Sequence, residues 1–217
     1  MDSRLQTIAA FVPIGSRVAD IGTDHGYLAI YLIEKHIANF VIASDKNAGP
    51  LEAARKNVKN TEIEDKIDLR LGDGLKTIES GEVDVICIAG MGGALMCDIL
   101  NASPEVITKV DKIILQPMNA VDKVRQWAAK NNFYIEDEDL AEVDDIIYEI
   151  ICFSRKFNEN LLTRKSKSSL FNKFIETKIN KFQRILDSMS LSQKARVSDK
   201  YLEIENQIKE LKEQKLK

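Results

Sequence analysis

Histidine is nearly absent from this 217-residue chain; His25 and His36 are its only two, which argues against a His-built metal centre. Its three cysteines, Cys87, Cys97 and Cys152, form an odd set without metal-ligand spacing. Neither a disulfide framework nor a thiolate metal site is expected, and a reducing cytoplasm is. The longest uncharged apolar run, Val85–Leu95 with its neighbours, falls far short of the ~20 residues that a membrane span needs. Met1–Phe11 is too polar for a signal peptide. Neither a metal nor a membrane is therefore an expected partner.

What is present describes a globular chain. Hydrophobic residues make up 44% and charged residues 30%, which excludes a disordered or collagen-like protein. A net charge of −3 conceals a split. Residues 1–153 hold 15 Lys and Arg against 26 Asp and Glu, a balance of −11. Residues 154–217 hold 16 against 8, a balance of +8. An acidic body with a basic tail points to a polyanionic partner for the tail; the alternative is a lysine-rich, solvated helix face.

Short apolar strands alternate with helical stretches through the first two-thirds. Strands are expected over Arg17–Ile21, Phe40–Ser44, Ile67–Leu71, Val83–Ala89 and Lys112–Leu115, the last stopped by Pro117. Helices are expected over His25–Asn39, Pro50–Asn60, Gly92–Asn101 and Val121–Lys130. Two further strands, Phe133–Leu140 and Ile146–Phe153, follow without an intervening helix, joined by the acidic stretch Ala141–Asp145. This order predicts an α/β, mostly parallel sheet with one antiparallel strand. Composition shifts after Phe153, through the polar Ser154–Asn160, so the expected domains are 1–153 and 154–217. The second carries one apolar stripe from Leu170 to Met189 and another at Val197, Tyr201, Ile204, Ile208 and Leu211. Those stripes read as a coiled-coil-like helical hairpin, in a monomer or a weak dimer.

The turn after the first strand reads Asp20-Ile21-Gly22-Thr23-Asp24-His25-Gly26. A dinucleotide fingerprint would have a second glycine where Asp24 stands, to let backbone approach a pyrophosphate. An acid there suits a ligand carrying positive charge and no phosphate, such as S-adenosylmethionine. Asp45 ends the second strand, where a carboxylate can accept from ribose hydroxyls, and Gly72-Asp73-Gly74 follows the third. Glycine-rich Ala89-Gly90-Met91-Gly92-Gly93 follows the fourth strand, and Gln116-Pro117 forms a second polar rim after the fifth. Singly each is more often an ordinary turn; together they fall at the carboxyl ends of strands, where such sheets bind ligands.

VADIGTDHGYL (18–28), GDGL (72–75), IAGMGG (88–93) and LQPM (115–118) together resemble the TrmK family, bacterial tRNA (adenine(22)-N1)-methyltransferases. The resemblance implies a Rossmann-like class I methyltransferase domain using S-adenosylmethionine, with a helical appendage and tRNA as partner. It implies that Asp20 and Gly22 hold the methionine part of the cofactor, with Asp45 on the ribose and Asp73 and Gly74 on the adenine. Asp24 would face the reacting centre as the catalytic residue, with His25 beside it as a further cofactor-binding residue. Gly90 and Met91 would border the cofactor, and Gly92, Gln116 and Pro117 the substrate base. Many amino-methyltransferases carry an Asn/Asp-Pro-Pro-aromatic motif at Gly90–Gly92; its absence suits methylation of a ring nitrogen. On charge, Lys165, Lys167, Lys173, Lys178, Lys181 and Arg184 are the expected phosphate contacts. Two rivals stay open: a methyltransferase of a small molecule or protein, and a non-catalytic interaction module.

Overall fold

The computed structural model describes residues 1–59, 61–157 and 163–215. Asn60 and part of the polar stretch Ser154–Asn160 lie outside them. Seven strands form one sheet: β1 (Ser16–Ile21), β2 (Ala38–Asp45), β3 (Ile67–Leu71), β4 (Val85–Met91), β5 (Lys112–Pro117), β6 (Tyr134–Val143) and β7 (Ile146–Ser154). Their order is β3-β2-β1-β4-β5-β7-β6; β7 pairs antiparallel with both β5 and β6, and every other pair is parallel. Chain order reverses between β1 and β4, so the crevice beyond their carboxyl ends is the switch point where ligands bind in open α/β sheets.

Helices cover both faces: α1 (Ser3–Ala9), α2 (Tyr27–Glu34), α3 (Ala48–Val58), α4 (Gly93–Asn101), α5 (Pro104–Ile107) and α6 (Val121–Lys130). Alternate strand residues feed two cores. Ala19, Ile21, Ile86, Ile88, Ile113 and Leu115 pack with Met96 and Leu100 of α4 and with Val124 and Trp127 of α6. Val18, Val41, Val85, Cys87 and Ile114 pack with Ile8 of α1, Leu28 and Leu32 of α2 and Val58 of α3. With both faces covered, the inner strands lose their polar alternation, which is why Val85–Ile88 is apolar throughout.

Several boundaries differ from expectation, each for a local reason. The helix expected over His25–Asn39 spans only Tyr27–Glu34. Gly26 and His36 adopt left-handed backbone at φ 75° and 55° on either side, and Ala38 already belongs to β2. The strand β6 runs on to Val143, so the turn to β7 is only Asp144-Asp145. Both residues have positive φ, 49° and 62°, the pattern of a two-residue hairpin turn whose twist matches that of the flanking strands. The fourth strand continues to Met91 across a bulge at Gly90 (φ 72°), which brings Met91 opposite Pro117. The N-terminal α1 is an element beyond those expected; the Asp2 carboxylate caps it by accepting the Leu5 N–H at 2.9 Å.

Two compact units emerge, Met1–Ser166 and Lys167–Lys217. The break falls after Ser166 rather than at the composition shift after Phe153. A short α7 (Arg164–Lys167) follows the described part of the linker, and its Arg164 and Lys165 are tied to β6 carboxylates of the first unit. The second unit contains α8 (Phe171–Ser190), α9 (Gln193–Arg196) and α10 (Asp199–Lys215). Leu186, Ile204 and Ile208 are its buried centre, packed with Ile179, Phe182, Ile185, Met189 and Tyr201. Val197, expected in the seam, is 78% exposed because it lies in the turn before α10. Among the described residues no helix is long and apolar enough to cross a membrane, and no group of three His, Cys, Asp or Glu side chains is placed to hold a metal.

Candidate active site

Two adjoining cavities open at the carboxyl ends of the central strands, within the first unit. The larger, about 580 Å³, is lined by Asp20, Gly22, Thr23, Asp24, Tyr27, Asp45, Gly90 and Met91, together with Asp2 and Arg4. The smaller, about 110 Å³, is lined by Asp45, Lys46, Gly72, Asp73 and Gly74 and closed by the apolar Ile21, Leu95 and Ile99. Gly22, Asp45, Asn47 and Met91 border both. Met91 packs closely on Gly22: a Cβ there would overlap the Met91 Cε methyl.

Asp20 is the penultimate residue of β1, on the face covered by α1 and α2, and it is only 5% exposed. The Thr23 hydroxyl donates to its Oδ2 at 2.7 Å. Burial pushes its carboxyl up to about 6, with the Thr23 hydrogen bond working against that rise and the Asp45 charge adding to it. Asp24 projects from the turn with φ 54°, a conformation Asp and Asn tolerate better than other side chains. It is exposed on the wall of the larger cavity, with the His25 Nε2 at 3.6 Å. Asp45 accepts the Asn47 N–H at 2.8 Å. Asp73 is exposed and its carboxyl is held below the usual range by a 2.7 Å hydrogen bond and ion pair with the Lys76 ammonium. Gly74 has φ 58°, and a Cβ there would approach the Ile99 Cγ2 to 2.9 Å, so this loop sits tightly on α4.

The sequence-derived set therefore divides. Asp20, Gly22, Asp24, Asp45, Asp73, Gly74, Gly90 and Met91 all line one cavity or the other. His25 lines neither; its ring stacks on Tyr27 with centroids 5.4 Å apart. Gly92 precedes α4, with Asn119 close on the side a Cβ would occupy. Gln116 and Pro117 are not a substrate rim. Gln116 is fully buried, and its Oε1 accepts both the Gly90 N–H at 3.0 Å and the Arg4 Nη1–H at 3.2 Å. Pro117 is buried within β5. Gln116 thus braces the glycine loop from beneath.

The basic residues divide as well. Lys165 is mostly buried in the first unit, paired with Glu138 and Glu149, which takes it away from any phosphate. Lys178 packs over the Phe174 ring at 4.4 Å. Lys181 and Arg184 are exposed on α8, where with Thr177, Asn180 and Ile185 they line one groove; Lys167 and Lys173 are exposed too. Two cavity residues carried no expected role: Arg4, outside every motif, and Tyr27, within VADIGTDHGYL (18–28). The spacing of Leu5, Ile8 and Ala9 behind Asp2, an apolar stripe after an N-cap residue, is the signal that reveals α1 and with it Arg4.

This chain has clear relatives. The methyltransferase domain family matches residues 1–151. The tRNA (adenine(22)-N(1))-methyltransferase of Bacillus subtilis is 40% identical over 151 residues, 70% of this chain and 63% of that protein. The chain thus matches a little under two-thirds of that relative's length. The crystal structure of the B. subtilis M1A22 tRNA methyltransferase TrmK is similar with a TM-score of 0.85 and 31% identity, covering 99% of this chain and 98% of that one. M. capricolum TrmK, solved with the cofactor product S-adenosyl-homocysteine, gives a TM-score of 0.81 and 29% identity over 98% and 96% of the two chains.

Proposed function

The chain belongs to the methyltransferase domain family and, within it, to the TrmK family, and from that premise we propose that it methylates N1 of adenine 22 in tRNA, in the cytoplasm, with S-adenosylmethionine as donor. The observation that carries this is the convergence of Asp20, Gly22, Asp24 and Asp45 on one cavity at the switch point, beside a second cavity edged by Asp73 and Gly74. The donor set fits the cofactor. Carboxylates without a glycine-rich phosphate cradle suit an ammonium and a sulfonium, and Ile21, Leu95 and Ile99 offer apolar walls for a flat ring. Asp20 and Gly22 hold the methionine part, Asp45 the ribose, and Asp73 with Gly74 the adenine, while Gly90 and Met91 border the sulfur end.

Bound S-adenosylmethionine supplies an electrophilic methyl group. Adenine N1 has a free lone pair once unpaired, so the protein needs no base to create the nucleophile. Its task is alignment, for which well-oriented reactants gain up to ~7–11 kcal/mol. Positive charge develops on the target ring and its exocyclic amine as N1 is alkylated. Asp24, exposed on the cavity wall, accepts a hydrogen bond from that amine, and the bond strengthens as the charge grows. Exposing a base held in folded tRNA costs a few kcal/mol, which the basic residues of the second unit offset by binding phosphates. Incubation of unmodified tRNA with enzyme and S-adenosylmethionine, followed by mass-spectrometric mapping, should place one methyl on N1 of adenine 22. A methyl elsewhere, or only on a small molecule or protein, overturns the assignment.

Two further outcomes are expected. The Asp20 carboxyl sits at about 6 in the free protein, while the cofactor ammonium pairs with the ionised form. Affinity for S-adenosylhomocysteine should therefore rise with pH through 6 and level off above about 7, falling about tenfold per unit below 6. The folding balance has the opposite sign: a carboxyl raised on folding favours the native state below its unfolded value near 4, and that advantage is lost as pH climbs through 6. Titration calorimetry across this range checks the first; Asp20→Asn should bind weakly with a flat profile. In the second unit, Lys181→Ala with Arg184→Ala should weaken tRNA binding at unchanged cofactor affinity. The salt slope should also become shallower, by roughly 0.7–0.9 for each phosphate no longer neutralised. An unaltered slope in filter binding would remove α8 from the tRNA surface.

A further inference from the structure

Arg4 is the single Lys or Arg among the described residues lining the larger cavity, where it faces Asp2, Asp20, Asp24 and Asp45. Four carboxylates can satisfy an ammonium, yet they repel the carboxylate that the methionine part of the cofactor also carries. We propose that Arg4 binds this carboxylate and so sets the position of the methionine tail; the inference rests on the methyl-donor assignment above.

The guanidinium is held from three sides before any ligand arrives. Its Nη1 donates to the Gln116 Oε1 at 3.2 Å, its Nη2 lies 3.5 Å from the Asp2 Oδ2, and its central carbon lies 5.7 Å from the centroid of the Tyr148 ring of β7. Those anchors come from β5, the α1 cap and β7, so its rotamer is fixed at little further entropic cost. Its Nε is buried and has no hydrogen-bond partner among the described residues, an unpaired donor on a group built to grip carboxylates with two parallel bonds. Because Gln116 Oε1 accepts from Gly90 N–H as well, the same buried amide sets both the guanidinium and the glycine loop on the cavity wall. A Cβ at Gly90 would come within 3.4 Å of the Arg4 Nη1, so the glycine also leaves the guanidinium room.

The test compares Arg4→Met with the unmutated full chain by titration calorimetry against three ligands. S-adenosylhomocysteine carries both ammonium and carboxylate, its decarboxylated analogue only the ammonium, and 5′-methylthioadenosine neither. Arg4→Met should weaken S-adenosylhomocysteine by roughly 10- to 100-fold, the range for removing a charge-assisted hydrogen-bond pair. It should leave the other two ligands within about twofold, and Arg4→Lys should recover part of the affinity. Binding of 5′-methylthioadenosine to the variant also shows that the cavity has folded. Equal weakening of all three ligands would make Arg4 a brace for the loop and overturn the proposal. So would unchanged S-adenosylhomocysteine affinity with a raised KM for tRNA, which turns the guanidinium toward the substrate. Failure of the unmutated chain to bind S-adenosylhomocysteine would instead remove the methyl-donor assignment, and this inference with it.

Discussion

Replacing Asp24 by Asn should lower kcat on tRNA by roughly 100- to 1,000-fold, the usual effect of losing one group aimed at developing charge, while S-adenosylhomocysteine affinity changes by less than about threefold. Asparagine is the informative substitution for a conformational reason. Asp24 has φ 54°, and Asn is one of the few residues that visits left-handed backbone readily. Alanine would add strain at this turn and blur a chemical loss with a structural one. Asn keeps the shape and a carbonyl oxygen but not the negative charge, so the part of the loss due to charge is isolated. Asp24 and Asp20 line the same cavity in different surroundings. It is exposed on the rim, whereas Asp20 is buried and bonded to Thr23. A fall in kcat and kcat/KM together, with KM little changed, marks an interaction made in the transition state. If single-turnover kinetics show unchanged chemistry and calorimetry shows lost cofactor binding, Asp24 belongs to the cofactor site.

How much of this was legible in the sequence follows from which forces act locally. Strand alternation with helices, the apolar Val85–Ile88 and the acid at each of three strand ends are local patterns, and they describe the sheet and most of both cavities. What escaped depends on partners distant in sequence. Gln116 looks like a rim residue beside Pro117, yet its amide is consumed by Gly90 and by Arg4, 112 positions away. Ala141–Val143 belongs to an acidic stretch that reads as loop; Ala141 is nevertheless buried against the α1–α3 face of the sheet, which carries β6 to the two-residue turn. The N-terminal segment, too polar for a targeting signal, has a second meaning as an amphipathic helix delivering Arg4 to the cavity. Charge counting places Lys165 with the tail, because a sum of charges is blind to tertiary pairing.

That pairing sets up the second large effect, on stability. Glu138 and Glu149 are 7% and 5% exposed on β6 and β7, and two cations answer them: Arg125 from α6, with Nη2 at 2.6 Å from Glu138 and 3.4 Å from Glu149, and Lys165 from α7, in contact with both. Burial alone would raise the Glu138 carboxyl, but the Arg125 hydrogen bonds and the Lys165 charge outweigh it and hold it below the usual range. A carboxyl lowered on folding contributes stability above its unfolded value near 4.5, and that contribution is lost as pH falls through the folded value. Lys165→Met keeps the aliphatic stem and removes the charge, leaving two buried carboxylates to one guanidinium. Removing one partner from a buried pair costs about 3–5 kcal/mol, so Tm of the first unit should fall by on the order of 10 °C. Adding Glu149→Gln should restore part of that loss, since the two substitutions touch one cluster and their effects cannot add. Well below the transition, tRNA affinity of Lys165→Met should equal that of the unmutated chain, in contrast to Lys181→Ala with Arg184→Ala. The reverse pattern, an unchanged Tm with weakened and less salt-sensitive tRNA binding, would return Lys165 to the phosphate-binding surface and leave the two glutamates answered by Arg125 alone.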